Sequence, residues 1–308
     1  MTRQEFTPEV ERVVSQGHFV RNQRTKPTPT PSSCTALSEL NNMIGLEKVK
    51  ELAAELEAFI SIQQHRAQHN LKNQPMVLHM IFKGNPGTGK TTVARLFGKL
   101  LQNLQVLSKG HIIEVERADL VGEYIGHTAQ KTRDLVHKAM GGVLFIDEAY
   151  SLARGGEKDF GKEAVDTLVK AMEDHKNDFI LILAGYTAPM EEFLRLNPGL
   201  KSRFPIKLSF PDYSVQELLG IAQLMLEERE YRLTNPALNK VREILDQQIH
   251  FSYNDFSNAR LVRNLLESAI RRHAVRLKHA FAPTRDQLQT LESCDFFSSA
   301  SKEYTLYR

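Results

Sequence analysis

The pattern G-x-x-x-x-G-K-T over residues 84–91 has the residue types and spacing of a loop that binds phosphate. Its glycines allow the backbone to turn tightly and to present amide groups to an anion. Lys90 can reach the β and γ phosphates of a nucleotide, and the Thr91 hydroxyl can coordinate Mg²⁺. The pattern therefore predicts nucleotide binding, but it does not separate kinases, GTPases, helicases and motors from one another.

A pair of acids, Asp147 and Glu148, follows the apolar residues 143–146 and indicates a hydrolytic reaction. A carboxylate at the C-terminal end of a parallel strand lies in the crevice where α/β sheets bind ligands. Asp147 would hold Mg²⁺ through water, and Glu148 would polarise the attacking water as a general base. A hydrolase uses this second acid, whereas a kinase must keep water out of its site. The alternative is an acidic strand end that only caps the next turn.

Four further polar residues could act on a nucleotide. Thr187 follows a later apolar run and could orient the attacking water or detect the γ-phosphate. Arg203 comes just before the last predicted strand, where an arginine can reach the γ-phosphate bound to a neighbouring subunit. Arg260 and Arg263, near the start of a later helix, could contact phosphate across a cleft. The competing interpretations are a strand-ending threonine, a surface ion pair and a solvated basic helix face.

The elements that must position these residues alternate between apolar runs and helical patterns over residues 76–210. This alternation predicts an α/β fold in which helices cover both faces of a parallel sheet. We expect five strands, at residues 77–83, 111–117, 142–147, 179–185 and 206–210. The glycine-rich pattern then lies between the first strand and an amphipathic helix, which is the context that a phosphate loop requires.

The composition divides the chain into three parts. Residues 1–36 are rich in Pro, Thr and Ser and are expected to form a flexible N-terminal tail. Residues 37–210 form the predicted α/β P-loop domain. Residues 211–308 are predicted to form a smaller, all-helical domain with a C-terminal tail, and a capping box of Ser214 and Glu217 begins its first helix.

The overall composition is that of an ordinary globular protein. The 308 residues are 41% hydrophobic and 25% charged, and the net charge of +3 is too small to argue for nucleic-acid binding. The two cysteines, Cys34 and Cys294, lie far apart and fit no disulfide or metal pattern, which favours a reducing compartment. The sequence shows no membrane span and no signal peptide, so we expect a cytoplasmic protein.

Taken together and in this order, the motifs resemble those of the AAA+ ATPases. The resemblance covers roughly residues 38–292 and rests on stretches such as HMIFKGNPGTGKTTVARL, ERADLVGEYIGHTAQKTRDL, GGVLFIDEAYSLARGGEKDFGKEAVDTLVKAMED and FILILAGYTAPMEEFLRLNPGLKSRFP. Within this superfamily, the same stretches are similar to the branch that includes sporulation ATPases and red-type Rubisco activases. The resemblance implies a five-stranded P-loop domain followed by a small helical lid, and hydrolysis of ATP with Mg²⁺.

The resemblance also implies nucleotide-binding roles for individual residues. The Walker A residues are Gly84, Asn85, Pro86, Gly87, Thr88, Gly89, Lys90, Thr91 and Thr92. Asp147 and Glu148 match Walker B, with Glu148 activating water, and Thr187 occupies the sensor-1 position, where many relatives carry Asn. Arg260 matches sensor 2, with Arg263 as the alternative. Ile44 and Gly45 match the segment that packs on adenine, although Ile44 could equally be a core residue.

Two further matches concern assembly and mechanical work. Arg203 matches the arginine finger, which acts on the nucleotide of a neighbouring subunit and implies a homo-oligomeric ring, usually of six. Tyr124, Ile125 and Gly126 match the loop that lines the central pore and grips an extended protein chain. The alternative for Tyr124 is a ring packed on its own domain. These matches imply a motor that remodels a client protein by threading it, in spore development.

Three other functions remain open on the sequence. A DNA-acting member of the clamp-loader or initiator type is suggested by the basic residues 260–278, although the modest net charge opposes it. A monomeric P-loop kinase conflicts with the second acid, Glu148, and with an arginine that acts on a neighbour. A nucleotide-dependent scaffold with little turnover would differ from a motor only in its rate of hydrolysis.

Overall fold

The computed structural model describes residues 31–73, 76–124, 126–154, 160–176, 178–251, 256–278 and 280–297. Within these residues, five parallel strands form one sheet in the spatial order β2-β3-β4-β1-β5. The strands are β1 (Met80–Gly84), β2 (Ile112–Val115), β3 (Val143–Ile146), β4 (Ile180–Gly185) and β5 (Ile206–Phe210). The predicted α/β fold class is confirmed, and each strand lies within its predicted range or extends one residue beyond it.

Helices connect the strands and cover both faces of the sheet. They are α1 (Pro31–Asn41), α2 (Glu47–Gln68), α3 (Lys90–Asn103), α4 (Arg117–Leu120), α5 (His127–Ala139), α6 (Gly161–Asp174), α7 (Thr187–Leu196), α8 (Pro198–Lys201), α9 (Val215–Glu227), α10 (Asn235–Phe251), α11 (Ala259–Leu277) and α12 (Arg285–Gln289). A 3₁₀ helix over Ala149–Ala153 follows β3. Among the described residues, no helix is long and apolar enough to cross a bilayer.

Two apolar clusters, one on each face, hold the sheet between its helices. Successive side chains of a strand point to opposite faces, and β1 divides its residues accordingly. Phe82 belongs to the cluster that contains Phe97 of α3. Its neighbour Ile81 belongs to the cluster that contains Val165 of α6. Because both faces are covered, β3 and β4 are buried along their whole length, which explains their unbroken apolar sequences.

After β5 the chain enters a mainly helical part, in which α9, α10 and α11 pack together; we call these three the lid helices. The predicted capping box is present, since the Ser214 N–H donates to Glu217 Oε2 at 2.8 Å and Ser214 Oγ accepts from the Glu217 N–H at 3.3 Å. This part is not entirely helical, however. Two short parallel strands, β6 (Arg232–Leu233) and β7 (Thr290–Leu291), join its beginning to its end.

The first described helix begins earlier than the expected end of the N-terminal tail. Helix α1 starts at Pro31, so residues 31–36 are helical rather than part of a tail. Ala36 and Leu40 are buried against the core, and Glu39 forms an ion pair with Lys99 of α3. These contacts explain why the helix extends into a segment rich in Pro, Ser and Thr. Residues 1–30 lie outside the described part of the chain, and the division into a P-loop domain and a lid domain stays a prediction.

Candidate active site

The predicted phosphate loop joins β1 to α3, so its backbone amides lie at the N-terminus of a helix. Gly87 and Gly89 have φ angles of 72° and 93°, which residues with a side chain rarely adopt. Lys90, the first residue of α3, is buried. Its Nζ donates hydrogen bonds to the carbonyl oxygens of Gly84 at 2.9 Å and Asn85 at 2.8 Å. The loop therefore closes around its own lysine.

Gly84 is required for a different reason, the close approach of the neighbouring strand. It pairs with Phe210 at the end of β5. A Cβ atom at Gly84 would lie 2.3 Å from the carbonyl oxygen of Phe210, which is closer than two such atoms can come. The first residue of the loop is thus packed directly against the backbone of β5.

The charge on Lys90 depends on its surroundings. Burial lowers the pKa of Lys90, because the charged ammonium group loses contact with water. The carboxylate of Asp147 has the next largest effect and raises the pKa, while Arg260 lowers it and Asp212 raises it. A buried ammonium group with a second cation nearby gains from an additional anion, and phosphate is such a partner.

A cavity of about 530 Å³ opens beside the loop and has both charged and apolar surfaces. The charged and hydroxyl residues that line it are Lys90, Thr91, Thr92, Asp147, Glu148, Glu228, Arg229, Arg260 and Arg263. The apolar and aromatic residues that line it are Met43, Ile44, Tyr186, Tyr213, Ile221, Leu224 and Met225. This combination suits a nucleotide, whose phosphates need cations and amides while its base needs an apolar surface.

The two predicted acids meet the phosphate loop in this cavity. Asp147 directly follows β3, and its Oδ1 accepts a hydrogen bond from the Glu148 N–H at 2.9 Å. Glu148 is exposed and has a φ of 46°, an uncommon backbone conformation for a residue with a side chain. Because its side chain is exposed, Glu148 is accessible to water, as a general base must be. Burial, with the Glu148 carboxylate as the second cause, raises the pKa of the neighbouring Tyr150 to about 12.

Both candidate arginines of α11 reach the same cavity. The helix begins at Ala259, so Arg260 and Arg263 lie in its first two turns, and both line the cavity. Arg260 is near enough to Lys90 to lower the pKa of that residue. Two cations that line the same cavity favour the binding of an anion near both. The structure therefore brings together the phosphate loop, the acids and both arginines.

Arg203 lies elsewhere. It does not belong to the described residues that line the cavity. Its Nη1 donates to the carbonyl oxygen of Gly199 at 2.7 Å, and its Nη2 forms an ion pair with Glu173 of α6. The surface ion pair that the sequence offered as an alternative is thus present, and the side chain is not directed at the nucleotide site of its own subunit.

Thr187 also lies outside the cavity, although it was expected to act on the nucleotide. Strand β4 ends at Gly185, and Thr187 is the exposed first residue of α7. The Met190 N–H donates to the carbonyl oxygen of Tyr186 at 3.0 Å, so the helical pattern has already begun there. Tyr186 lines the cavity instead.

Ile44 lines the cavity and also packs on a lid helix. A Cβ atom at Gly220 of α9 would lie 2.7 Å from Ile44 Cδ1, so this isoleucine sits directly above a glycine. Gly45 has a φ of 64°, and a Cβ atom there would lie 2.3 Å from Glu217 Oε1. The pair therefore joins the segment before α2 to α9, and only Ile44 of the two lines the cavity.

The predicted pore loop lies between β2 and α5. Tyr124 is 66% exposed, and its ring meets only His127 edge-on, with 5.4 Å between ring centroids, among the described aromatic pairs. Gly126 precedes α5 with a φ of 83°, and a Cβ atom there would meet nothing within 4 Å. Ile125 lies outside the described residues. The exposure of Tyr124 disagrees with the alternative in which its ring packs on its own domain.

A metal ion at this site would need ligands from the nucleotide. The described residues contain no group of three His, Cys, Asp or Glu side chains that could hold a metal. Thr91 and Asp147 line the same cavity and offer a hydroxyl and a carboxylate oxygen. Mg²⁺ in nucleotide sites uses one or two such protein groups and takes its remaining ligands from phosphate and water. The residues present therefore fit Mg²⁺ bound together with a nucleotide.

Three polar residues that contact the phosphate loop were not among the predicted site residues. Tyr213 lines the cavity, and its hydroxyl donates to the carbonyl oxygen of Thr88 at 3.2 Å. Asp212 accepts hydrogen bonds from Asn85 Nδ2, at 3.0 and 2.9 Å to its two oxygens. Asn258 is fully buried beside the loop. A polar residue directly before the Ala-Arg start of α11 was the available signal for Asn258.

Two family models match the chain. The model described as the ATPase family associated with various cellular activities, or AAA, matches residues 80–212. The model described as an AAA lid domain matches residues 214–305. The boundary between the two matches falls beside Tyr213, where β5 leads into the lid helices.

Similar proteins and structures agree with these models. Stage V sporulation protein K of Bacillus subtilis is 58% identical over 83% of this chain and 80% of its own length. CbbX of Cereibacter sphaeroides is 45% identical over 78% of each chain. The chloroplastic ribulose bisphosphate carboxylase/oxygenase activase of Cyanidioschyzon merolae is 40% identical over 83% and 85%. Two structures of mutant RuvB from Thermotoga maritima share the fold, at 22% identity and TM-scores of 0.53 and 0.51, over 81% of this chain and 69% and 70% of theirs.

Proposed function

The chain belongs to the AAA family of ATPases, and from this premise we propose that it is a ring-forming motor that remodels a client protein. It hydrolyses ATP, as its family does. In the proposed ring of six subunits, ATP binds between neighbours, and hydrolysis moves pore loops that pull on the client. Each part of this proposal draws on a different feature of the chain.

The proposed ATP site uses the cavity described above. Lys90 and the loop amides hold the phosphates, Thr91 and Asp147 hold Mg²⁺, and Glu148 activates water. Arg260, or alternatively Arg263, contacts phosphate from the lid side. The adenine base occupies the apolar surface that includes Ile44, Ile221 and Met225. Thr187 remains a candidate sensor only if α7 moves, because it is exposed outside the cavity.

The position of Arg203 is the observation that carries the proposal of a shared site. A cation that stabilises the transition state must touch the γ-phosphate, and Arg203 instead pairs with Glu173 outside its own cavity. Arg203 lies three residues before the first residue of β5 and outside its own cavity, so the proposal assigns it to the nucleotide of a neighbouring subunit. A site completed in this way hydrolyses ATP only in an assembly.

The proposal that the ring threads its client is supported by the predicted pore loop, residues 124–126. Tyr124 is exposed, and a tyrosine ring can hold an extended backbone through apolar contact without preference for side chains. Gly126 has open space around its Cα, which leaves the loop room to move. In the proposed ring, the pore would be lined by Tyr124, Ile125 and Gly126 of each subunit. Hydrolysis of one ATP would then move the Tyr124 side chain of one subunit.

The proposed client is a protein of spore development. This part rests on similarity to stage V sporulation protein K of Bacillus subtilis, which is 58% identical to this chain. The similarity to a carboxylase/oxygenase activase supports action on a folded protein in general, because that relative is named for activating an enzyme. Neither relative identifies the client of this chain.

Action on DNA is less well supported by the contacts of α11. Two of its arginines are engaged elsewhere, because Arg276 pairs with Glu292 and Asp295, and Arg272 stacks on Phe297 with 4.5 Å to the ring centroid. These two guanidinium groups are thus occupied by the C-terminal segment. A scaffold with little turnover would retain ATP binding but not the catalytic role proposed for Glu148.

The test is the solution mass of Glu148→Gln with and without ATP, measured by light scattering. The substitution keeps the shape of the side chain but removes the general base, so an ATP-dependent assembly is trapped. We expect about six subunits with ATP and fewer without it. A monomer with ATP demonstrably bound would overturn the ring and with it the roles of Arg203 and Tyr124.

A further inference from the structure

Asn258 connects the lid to the phosphate loop through hydrogen bonds from both ends of its amide. The residue is fully buried. Its Nδ2 donates to Asp212 Oδ1 at 2.7 Å and to the carbonyl oxygens of Pro86 and Phe256, each at 3.3 Å. Its Oδ1 accepts the Tyr213 N–H at 2.9 Å. One side chain therefore holds the loop, the linker after β5 and the start of α11.

The chain of contacts continues to the lysine that is proposed to bind phosphate. Asp212, the partner of Asn258, also accepts from the Asn85 side chain at 2.9 and 3.0 Å. The carbonyl oxygen of Asn85 in turn accepts from Lys90 Nζ at 2.8 Å. We call Asn85, Asp212, Tyr213 and Asn258 the Asn258 junction. This junction therefore joins Lys90 to the start of α11 through hydrogen bonds.

Backbone contacts on either side leave little freedom to separate the lid from the loop. The Ala259 N–H donates to the carbonyl oxygen of Gly87 at 3.2 Å. A Cβ atom at Gly87 would lie 2.1 Å from the carbonyl oxygen of Ser257, so the two backbones are already in contact. Only a glycine in the loop permits this approach.

The backbone of Asn258 itself is strained. Its φ of 49° and ψ of −126° lie in a region that residues with a side chain rarely adopt. Such a conformation persists where surrounding contacts enforce it, and the four hydrogen bonds of the side chain are these contacts here. The strained residue Asn258 is thus the N-cap of α11 and lies two residues before Arg260.

We propose that Asn258 is a positioning residue that makes the phosphate loop and the lid helices move together, and that Arg260 reaches phosphate only while Asn258 is bonded to Asp212. The inference rests on the proposed contact between Arg260 and nucleotide. It adds that the affinity for ATP depends on a residue that touches no part of the nucleotide. Asn258 acts through Arg260 and through the Asn85 end of the loop.

The experiment measures binding of ATP that carries a fluorescent N-methylanthraniloyl group, in the full chain with Glu148→Gln to prevent hydrolysis. Asn258→Asp replaces the amide donor with a carboxylate beside the Asp212 carboxylate, so the two repel. In the swap variant, Asn258→Asp with Asp212→Asn, position 212 supplies the donor and position 258 the acceptor. The swap restores this one contact but not the hydrogen bonds to the Pro86 and Phe256 carbonyl groups. Asn239→Asp, the same substitution on an exposed turn of α10, is the matched control.

We expect Asn258→Asp to weaken ATP binding by about tenfold, and the swap to recover about threefold of that loss. Arg260→Ala should weaken binding by about tenfold in the parent and by less than about twofold in the Asn258→Asp background, since both changes remove the same contact. Asn239→Asp should match the parent. A purely structural role would lower the thermal midpoint but leave the effect of Arg260→Ala undiminished.

Either of two results would overturn the coupling: Asn258→Asp binds ATP as the parent does, or the swap binds no better than Asn258→Asp alone. If Asn258→Asp does not fold, the test is the rate of hydrogen exchange at the Ala259 amide in the Arg260→Ala variant, measured with and without ATP. We expect ATP to slow this exchange even without Arg260. An exchange rate that ATP does not change would contradict the proposal. If the parent itself binds no ATP, the proposed nucleotide site is wrong, and the result says nothing against the coupling alone.

Discussion

The Arg203 guanidinium forms an ion pair with the Glu173 carboxylate on the surface of α6, outside the nucleotide cavity. The hydrogen bond and the charge of Arg203 together lower the pKa of Glu173, with the hydrogen bond as the larger cause. An arginine that serves a neighbouring subunit must leave this partner. In the proposed ring, Glu173 would therefore compete with the neighbour's phosphate for the same cation.

Removal of Arg203 should abolish turnover without affecting ATP binding by the same subunit. We expect Arg203→Ala to lower the rate of ATP hydrolysis by about a thousandfold, the range for an arginine that stabilises phosphoryl transfer. Mixing Arg203→Ala with Lys90→Ala subunits should restore part of the rate, because the second variant supplies the missing arginine. Arg195→Ala, an exposed arginine that is also paired within its own subunit, is the control. An inactive mixture that still forms rings would contradict action on a neighbour.

Lys90→Ala should weaken ATP binding by about 10- to 100-fold, the range for a hydrogen bond to a charged group. The Nζ that the variant lacks is held in the loop by two carbonyl groups at the place where phosphate is proposed to bind. Fluorescent-nucleotide titration measures the loss. Lys99→Ala, which lies on the same helix but pairs with Glu39 on the surface, should bind ATP normally. Equal affinities for the two variants would remove Lys90 from the site.

Tyr124→Ala should leave ATP hydrolysis by the isolated protein within about twofold of normal, since an exposed side chain contributes little to the fold. It should abolish the stimulation of hydrolysis by an unfolded protein such as casein, because the apolar grip is lost. Tyr124→Phe keeps the ring and should retain the stimulation. If the alanine variant is stimulated as strongly as the parent, Tyr124 does not hold the client.

His79 should make the fold less stable in mild acid. It is buried, and burial lowers its pKa from 6.5 to about 4. Between these two values the unfolded chain binds a proton that the folded chain does not, so the free energy of unfolding falls as the pH drops from 6.5 towards 4. The full contribution of this one group approaches about 3 kcal/mol.

The matched variant for this prediction is His79→Gln. Its amide oxygen can still accept the Leu181 N–H that His79 Nδ1 accepts at 3.0 Å, but it does not titrate. Urea unfolding at pH 7.5 and pH 5 should show a smaller loss of stability on acidification for the variant than for the parent. Equal losses would assign the acid sensitivity to other groups.

Local patterns were sufficient to predict the sheet, the phosphate loop and the acidic pair. Strands β3 and β4 are buried on both faces, so their apolar residues form continuous runs. The glycines and Lys90 lie within one short stretch, and Asp147 directly follows an apolar run. In each case the residues that act together are adjacent in sequence.

The remaining features depend on contacts between distant segments. Asn85, Asp212 and Asn258 are far apart in the chain and meet only when the lid has packed on the loop. The end of β4 at Gly185 was predicted correctly, but Tyr186 occupies the N-cap position of α7, so Thr187 begins that helix and lies outside the cavity. The contacts of Asn258 and the position of Thr187 both depend on how separate segments pack, which a local sequence pattern does not show.

Strand β5 links two places that were described separately. Arg203 lies just before its first residue, Ile206, and its last residue, Phe210, presses its carbonyl group against Gly84 of the phosphate loop. A strand of this length is a stiff rod of roughly 17 Å. Strand β5 thus lies between the residue proposed to serve a neighbour's nucleotide and the phosphate loop of its own subunit. This connection between the two does not include the lid helices.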